Sequence, residues 1–242
     1  MAWRGGSGMM AAQPPAMNPT IGVLLSGCGF LDGSEIQEAV FTLLCLDELG
    51  CEVVCIAPAG PQREVVDHAA HAPAAGERRD MLRESARIAR GRVRALATVR
   101  ATDLDGLVLP GGFGAAKNLC DFATEGAQAT AHPEVARLLR EAHAARKPIG
   151  AACIAPAVVA AVLGRQAHPV LTIGDDAPTA QALTAMGARH ERCAVDQCIV
   201  DRAQRIVTTP AYMCDARPKD VCAGIRRMCA EVVALAGAGD AQ

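Results

Sequence analysis

From Thr20 onward, apolar runs of four to seven residues alternate with stretches of helical spacing, which is the pattern of a parallel sheet with helical crossovers. Residues 21–25 predict a first buried strand. In residues 35–49, Ile36, Val40, Leu43, Leu44 and Leu46 fall near helical spacing, and Gly50 follows where a left-handed residue closes a helix. Residues 53–57, ended by Pro58, predict a second strand, and the polar stretch up to Arg100 predicts a helix over 77–90, stopped by Gly91. Beyond it the pattern predicts strand 106–109, a glycine-rich turn, helix 132–146, strand 149–152, helix 154–163, strand 170–173 and helix 178–186. A β pair at 195–200 and 205–208 and a last helix over 218–236 complete the chain. With no internal repeat and no interdomain linker, the reading is one α/β domain over 20–236, a doubly wound parallel sheet sandwiched by helices, with a tail at 237–242.

Residues 1–19 stand apart: they hold Gly, Pro, Ala and Met with a single charge, Arg4, and no apolar stretch of the kind a secretory signal needs. They read as a flexible leader, with Met17 as the natural start, and a short organelle-targeting segment is the alternative. The expected location is accordingly the cytoplasm, or the mitochondrion if the leader is an address.

Composition narrows the partners. Of 242 residues, 51% are hydrophobic and only 2% aromatic, so aliphatic side chains must pack the core. Lys+Arg number 24 against 26 Asp+Glu, a net charge of -2, which leaves no basic field for nucleic acid. The uncharged apolar stretch at residues 149–164 is too short and too rich in Ala and Gly for a membrane span. Eleven cysteines include no C-x-x-C pair and lie mostly in apolar runs, as buried thiols do; neither a disulfide framework nor a zinc site is expected, and no metal or cofactor is called for.

In an open parallel sheet, chemistry belongs at the carboxyl ends of the strands. Segments 26–38, 110–118 and 208–213 and Cys153 reach that edge. Cys153 lies between an apolar strand and an apolar helix, with alanines two residues before and after it, as the sharp turn of a nucleophile elbow requires. At a helix N-terminus such a thiol is expected to have the lowest pKa of the eleven. Gly111, Gly112 and Gly114 lack both the P-loop pattern and a dinucleotide fingerprint, and fit either a backbone nest for an oxyanion or a tight turn. Glu35 and Glu38 lie three apart at a helix start, where one can cap, as can Ser34, and the other can face the thiol as a proton shuttle. Tyr212, the one tyrosine, either lines a pocket or covers the core edge.

Ser-Gly-Cys-Gly at 26–29, Asp-Gly-Ser-Glu-Ile at 32–36, Pro-Gly-Gly-Phe-Gly-Ala-Ala-Lys-Asn-Leu at 110–119, Cys-Ile-Ala-Pro-Ala at 153–157, Leu-Thr-Ile-Gly at 171–174 and Thr-Thr-Pro-Ala-Tyr-Met at 208–213 resemble the ElbB family of isoprenoid-biosynthesis-associated glyoxalases, within the PfpI and class I glutamine-amidotransferase-like superfamily. The resemblance runs from about Thr20 to Leu235. It implies a flavodoxin-like sandwich, an elbow cysteine at Cys153, an oxyanion pocket from the N–H groups of Gly112 and Ile154, and a glutamate, Glu38 ahead of Glu35, beside the thiol. It also implies a weak, cofactor-independent conversion of methylglyoxal or glyoxal to lactate or glycolate, and a homodimer. A glutaminase would need His-x-Glu after the cysteine; here His132-Pro133-Glu134 precedes it, and neither His168 nor His190 has Glu two residues on. The alternative function is a non-catalytic interaction protein whose Cys153 responds to oxidants or metabolites.

Overall fold

The computed structural model describes residues 18–238, so most of the leader, Met17 included, and most of the tail lie outside the described residues. A seven-stranded sheet forms the centre. It comprises Thr20–Leu24 (β1), Glu52–Ala57 (β2), Val93–Ala95 (β5), Gly106–Leu109 (β6), Ile149–Ala152 (β7), Ile199–Asp201 (β10) and Ile206–Thr209 (β11), in the order β10-β11-β7-β6-β1-β2-β5. Every pairing is parallel except that of β10 with β11. Strands β6 and β7 are buried along their whole length, which is why they read as unbroken apolar runs. Both edge strands have only three residues, which limits the exposed ladder.

Helices Ile36–Glu48 (α1) and Pro218–Gly237 (α7) pack on each other, and α7 crosses β6, β7 and β11. Val221, Ile225, Met228, Val232 and Leu235, at alternating spacings of four and three, form its buried stripe. Gly150 in β7 lets that stripe approach: a Cβ there would lie 3.0 Å from Val232 and 3.2 Å from Val108. Helices Pro133–Ala144 (α4) and Pro156–Ala167 (α5) pack together and against β7, each opened by a proline where its missing N–H costs nothing. The fold is thus the expected doubly wound, flavodoxin-like α/β domain.

Differences lie at the periphery. The predicted strand 170–173 shrinks to Val170–Leu171 (β8), which pairs with Arg189–His190 (β9) in a separate two-stranded sheet beyond Ala177–Ala185 (α6). The first half of the predicted strand 195–200 is loop. Helix 77–90 contracts to Met81–Ile88 (α2), because Asp80 caps it through the N–H of Arg83. A hairpin of Val66–Asp67 (β3) and Ala72–Pro73 (β4), the edge strand β5 and the one-turn helix Phe122–Glu125 (α3) are too short to leave a periodic signal.

Gly224 gives the packing of α7 a sharp test. Alanine inside a helix normally stabilises by about 1 kcal/mol over glycine, but here its Cβ would stand 2.1 Å from the Val195 carbonyl oxygen and 2.7 Å from Thr209 Oγ1. Gly224→Ala should therefore destabilise by roughly 1–3 kcal/mol, read as a thermal midpoint several degrees lower. Gly237→Ala, with nothing within 4 Å, should leave the midpoint unchanged or raise it.

Candidate functional site

Four adjacent strands, β1, β6, β7 and β11, end at one edge of the sheet, and the order reverses between β1 and β6. This is the switch point at which an open α/β sheet forms its crevice. The segments that leave these four ends build one site.

Cys153 follows β7 in a left-handed backbone conformation, φ +59°, held by its N–H bond to the Thr209 carbonyl. A non-glycine residue in that region costs about 1–3 kcal/mol and persists only where its surroundings fix it. The turn aims Sγ at the cavity while the N–H groups of Gly112 and Ile154 point to the sulfur. The two donors are the N–H groups named for the oxyanion pocket, and the glycine-rich segment brings the first of them to the sulfur.

Glu38, fully buried, touches Cys153. Its Oε2 accepts from the Gly111 N–H at 2.8 Å and its Oε1 from the Tyr212 N–H at 3.1 Å. Glu35 has the other role: it is the N-cap of α1, accepting from the Glu38 N–H at 2.6 Å, and its side chain lines the cavity. Ser34 does not cap the helix; its hydroxyl accepts from the Ser26 N–H inside the preceding loop. Gly111 must be glycine, since a Cβ would lie 2.3 Å from that of Cys153 and 2.6 Å from Glu38 Oε2.

The expected depressed thiol is not what this geometry produces. Burial, then the Glu38 carboxyl, raises the Cys153 thiol well above its ordinary range, against the lowering effect of the Gly112 and Ile154 donors. Burial, then Glu35, raises Glu38 to about 7, against the Tyr212 and Gly111 N–H bonds. Of two groups in contact that cannot both ionise, Glu38 gives up its proton first, near 7, and above that the pair is a carboxylate beside a neutral thiol. The helix N-terminus is present as expected, but desolvation beside a carboxyl outweighs it.

The cavity encloses about 430 Å³ and is lined by Cys153, Ile154, Gly112, Glu35 and Tyr212 together with Phe30, Phe113, Phe122, Asp176 and Met213. Tyr212 thus belongs to the site by its ring and its N–H, and its hydroxyl bonds Gln37. No histidine lines the cavity. His132 caps α4, and His168 caps the far end of α5, bonded to the Gly187 carbonyl. Neither completes a triad.

Sequence reasoning missed the residues that lock the loop carrying Glu35. Asn118 Nδ2 donates to the carbonyls of Ser26 and Asp32, and Gln62 Nε2 also donates to the Asp32 carbonyl. Asp32 Oδ2 accepts from the Val66 N–H. Asp32 and Asn118 stand inside the quoted sequence blocks, so a polar side chain buried among glycines was the available signal. Gln62 left none.

The raised Glu38 carries a stability consequence. A carboxyl at about 7 in the fold and near 4.5 unfolded favours the native state while protonated; that stability is complete below about pH 4.5 and is lost as pH rises through about 7. The loss amounts to roughly 3 kcal/mol. The difference in unfolding free energy between the wild type and Glu38→Gln should change by that order between pH 4.5 and 8, with wild type losing ground as pH rises. A difference independent of pH in denaturant titrations would refute the assignment.

No family model matches the chain. Among curated proteins, the rat mitochondrial ES1 protein homolog is 41% identical over 235 residues, 93% of this chain and 87% of the relative. The human mitochondrial glutamine amidotransferase-like class 1 domain-containing protein 3 is 43% identical over 226 residues, 90% of this chain and 83% of the relative. Among solved structures, an isoprenoid biosynthesis protein with an amidotransferase-like domain from Ehrlichia chaffeensis superposes with TM-score 0.83 at 40% identity, covering 89% of this chain and 99% of that one. Drosophila melanogaster DJ-1beta, at 19% identity and TM-score 0.53 over 91% of this chain and 97% of its own, shares the fold. Both mammalian relatives are named mitochondrial, which lends the cytoplasmic expectation no support. At this identity and coverage, the chain belongs to the family of the ES1 proteins and the glutamine amidotransferase-like class 1 domain-containing protein 3, amidotransferase-like α/β proteins.

Proposed function

We propose that the site performs thiol–carbonyl chemistry on a small aldehyde or dicarbonyl, the glyoxalase-type reaction implied by the ElbB resemblance. The observation that carries this reading is the contact of Cys153 with Glu38 beneath two backbone N–H donors. A carboxyl near 7 beside a neutral thiol is the resource. The Glu38 carboxylate takes the thiol proton as Cys153 Sγ adds to the aldehyde carbon of methylglyoxal, the C–S bond forms, and the carbonyl oxygen takes that proton from Glu38. The Glu38 carboxylate then removes the hydrogen from that carbon and returns it to the neighbouring one, while the hydroxyl proton passes to the neighbouring oxygen, converting the hemithioacetal to a lactoyl thioester without external oxidant or reductant. Water adds to the thioester, the Gly112 and Ile154 donors hold the oxyanion, and lactate leaves with one proton while the pair retains the other. A carboxyl near 7 exchanges protons readily in both directions at neutral pH.

Purified protein given methylglyoxal without glutathione should form lactate, and Cys153→Ala and Glu38→Ala should each lower kcat/KM by at least 100-fold. Equal background rates for all three proteins would end the enzymatic reading and leave the non-catalytic one. The names of the mammalian relatives favour the mitochondrial alternative for this chain.

A homodimer is part of the same proposal. Ile36, Val40 and Leu44, four residues apart on the outer face of α1, are each 46% exposed, an apolar stripe on a helix that is also buried on its inner face. A second copy meeting that stripe through a twofold axis would cover it on both subunits. Light scattering at micromolar concentration should give a dimer mass, and Val40→Glu with Leu44→Glu a monomer; a monomeric wild type refutes this.

A further inference from the structure

The chain is almost without aromatic side chains: four Phe, one Tyr and one Trp in 242 residues. Its core is built from Leu, Ile, Val and Ala instead. Yet Phe30, Phe113, Phe122 and Tyr212 all line the cavity above Cys153, Phe122 and Tyr212 while also packing against the core, and Phe41 alone of the Phe and Tyr rings is away from it. The four rings come from four separate segments, after β1, after β6, at α3 and after β11. Phe30 and Phe113 are 40% and 47% exposed, so they cover no core and wall the cavity. Rings placed around an opening supply large flat apolar contact at small entropic cost.

The charge of the lining has one sign. Glu35 and Asp176 contribute carboxyls, and among the described residues no Lys or Arg lines the cavity. Asp176 caps α6 through the Thr179 N–H, and the Thr179 hydroxyl first, then that N–H, hold its carboxyl below the usual range. Lys117 lies 5.2 Å from the centre of the Phe113 ring, but its ammonium is committed to Glu64 and to the Leu31 carbonyl. An anionic group entering here would meet carboxylates and find no cation, whereas a neutral or cationic body would meet π faces. At about 430 Å³, the cavity falls within the roughly 300–1,000 Å³ range of sites that enclose ligands of drug size, far beyond a three-carbon dicarbonyl.

We infer that the substrate of this site is a carbonyl compound with a bulky apolar body and no anionic group, uncharged or cationic, and that methylglyoxal fills only its reactive end. The inference rests on the thiol–carbonyl reading but is separable from it, because the walls bind the body whether or not sulfur adds to the carbonyl.

Three probes of one shape decide it: benzaldehyde, 4-(trimethylammonio)benzaldehyde and 4-carboxybenzaldehyde, titrated by ligand-observed NMR into the wild type and into Cys153→Ala. In the alanine variant, where no bond to sulfur can form, the carboxylate probe should bind at least tenfold more weakly than the other two, and acetaldehyde at least tenfold more weakly than benzaldehyde. Phe113→Ala should weaken benzaldehyde three- to tenfold. Asp176→Asn, which keeps the helix cap, should narrow the gap between cationic and anionic probes several-fold. No saturable binding of the aryl probes, or a carboxylate probe within twofold of benzaldehyde, overturns the inference. Should the thiol–carbonyl reading alone be wrong, the binding order persists in the alanine variant while the wild type forms neither adduct nor lactate.

Discussion

One buried carboxyl organises this molecule's functional edge. Glu38 has no contact with solvent, and its oxygens are held by the N–H of Gly111 after β6 and the N–H of Tyr212 after β11. Beside them stands Cys153 after β7, and Glu38 itself rides on the helix that follows β1. Three strand ends and a helix are thus tied to one functional group. A carboxyl so deeply desolvated would be a plain liability in a structural core. Here the backbone bonds limit the penalty and the rest remains as a raised proton affinity, which is the property a proton shuttle needs.

The glycines around the carboxyl follow from the same crowding. At Gly112, φ is +93° and a Cβ would fall 2.3 Å from the Glu35 nitrogen. At Gly114 it would fall 2.5 Å from the backbone of Gly33. The loop after β6 therefore lies directly on the loop that begins α1, and the N–H of Gly112 can face the thiol only because nothing projects from it. One turn of π-helix at Ala115–Leu119 then turns Asn118 back under the first loop, where it bonds Ser26 and Asp32. The glycine-rich stretch and the buried amide that follows it are two halves of one device, the first permitting close approach and the second locking it.

What could be read in the sequence follows from which interactions are periodic. β1, β2, β6, β7, α1, α4 and α7 bury repeating sets of aliphatic residues, so their existence and order were legible, as was the edge that must hold Cys153. The β3–β4 hairpin and β5 are fixed by a few backbone bonds and by neighbours distant in the chain, which no local period records. The same limit applied to the two glutamates. Their spacing placed both at the start of α1, but which one turns inward depends on the N–H groups of Gly111 and Tyr212, the latter 174 residues away. The proton affinity of the thiol is hidden for a related reason: the helix N-terminus is a local feature that can be read, whereas burial and the contact with Glu38 arise only on folding.

Desolvation also explains how the site keeps its proton economy without a histidine. An imidazole in a triad is held by a third group that stabilises its charged form; here the partner of the thiol is itself an acid, and the two can ionise only in turn. Glu35 adds a second negative neighbour that raises Glu38 further. Because Glu35 caps α1 through the Glu38 N–H, the residue that helps raise the Glu38 carboxyl also fixes the backbone from which that carboxyl projects. Position and proton affinity are therefore set by one local motif, Glu-x-x-Glu at a helix start, and neither can be altered there without altering the other.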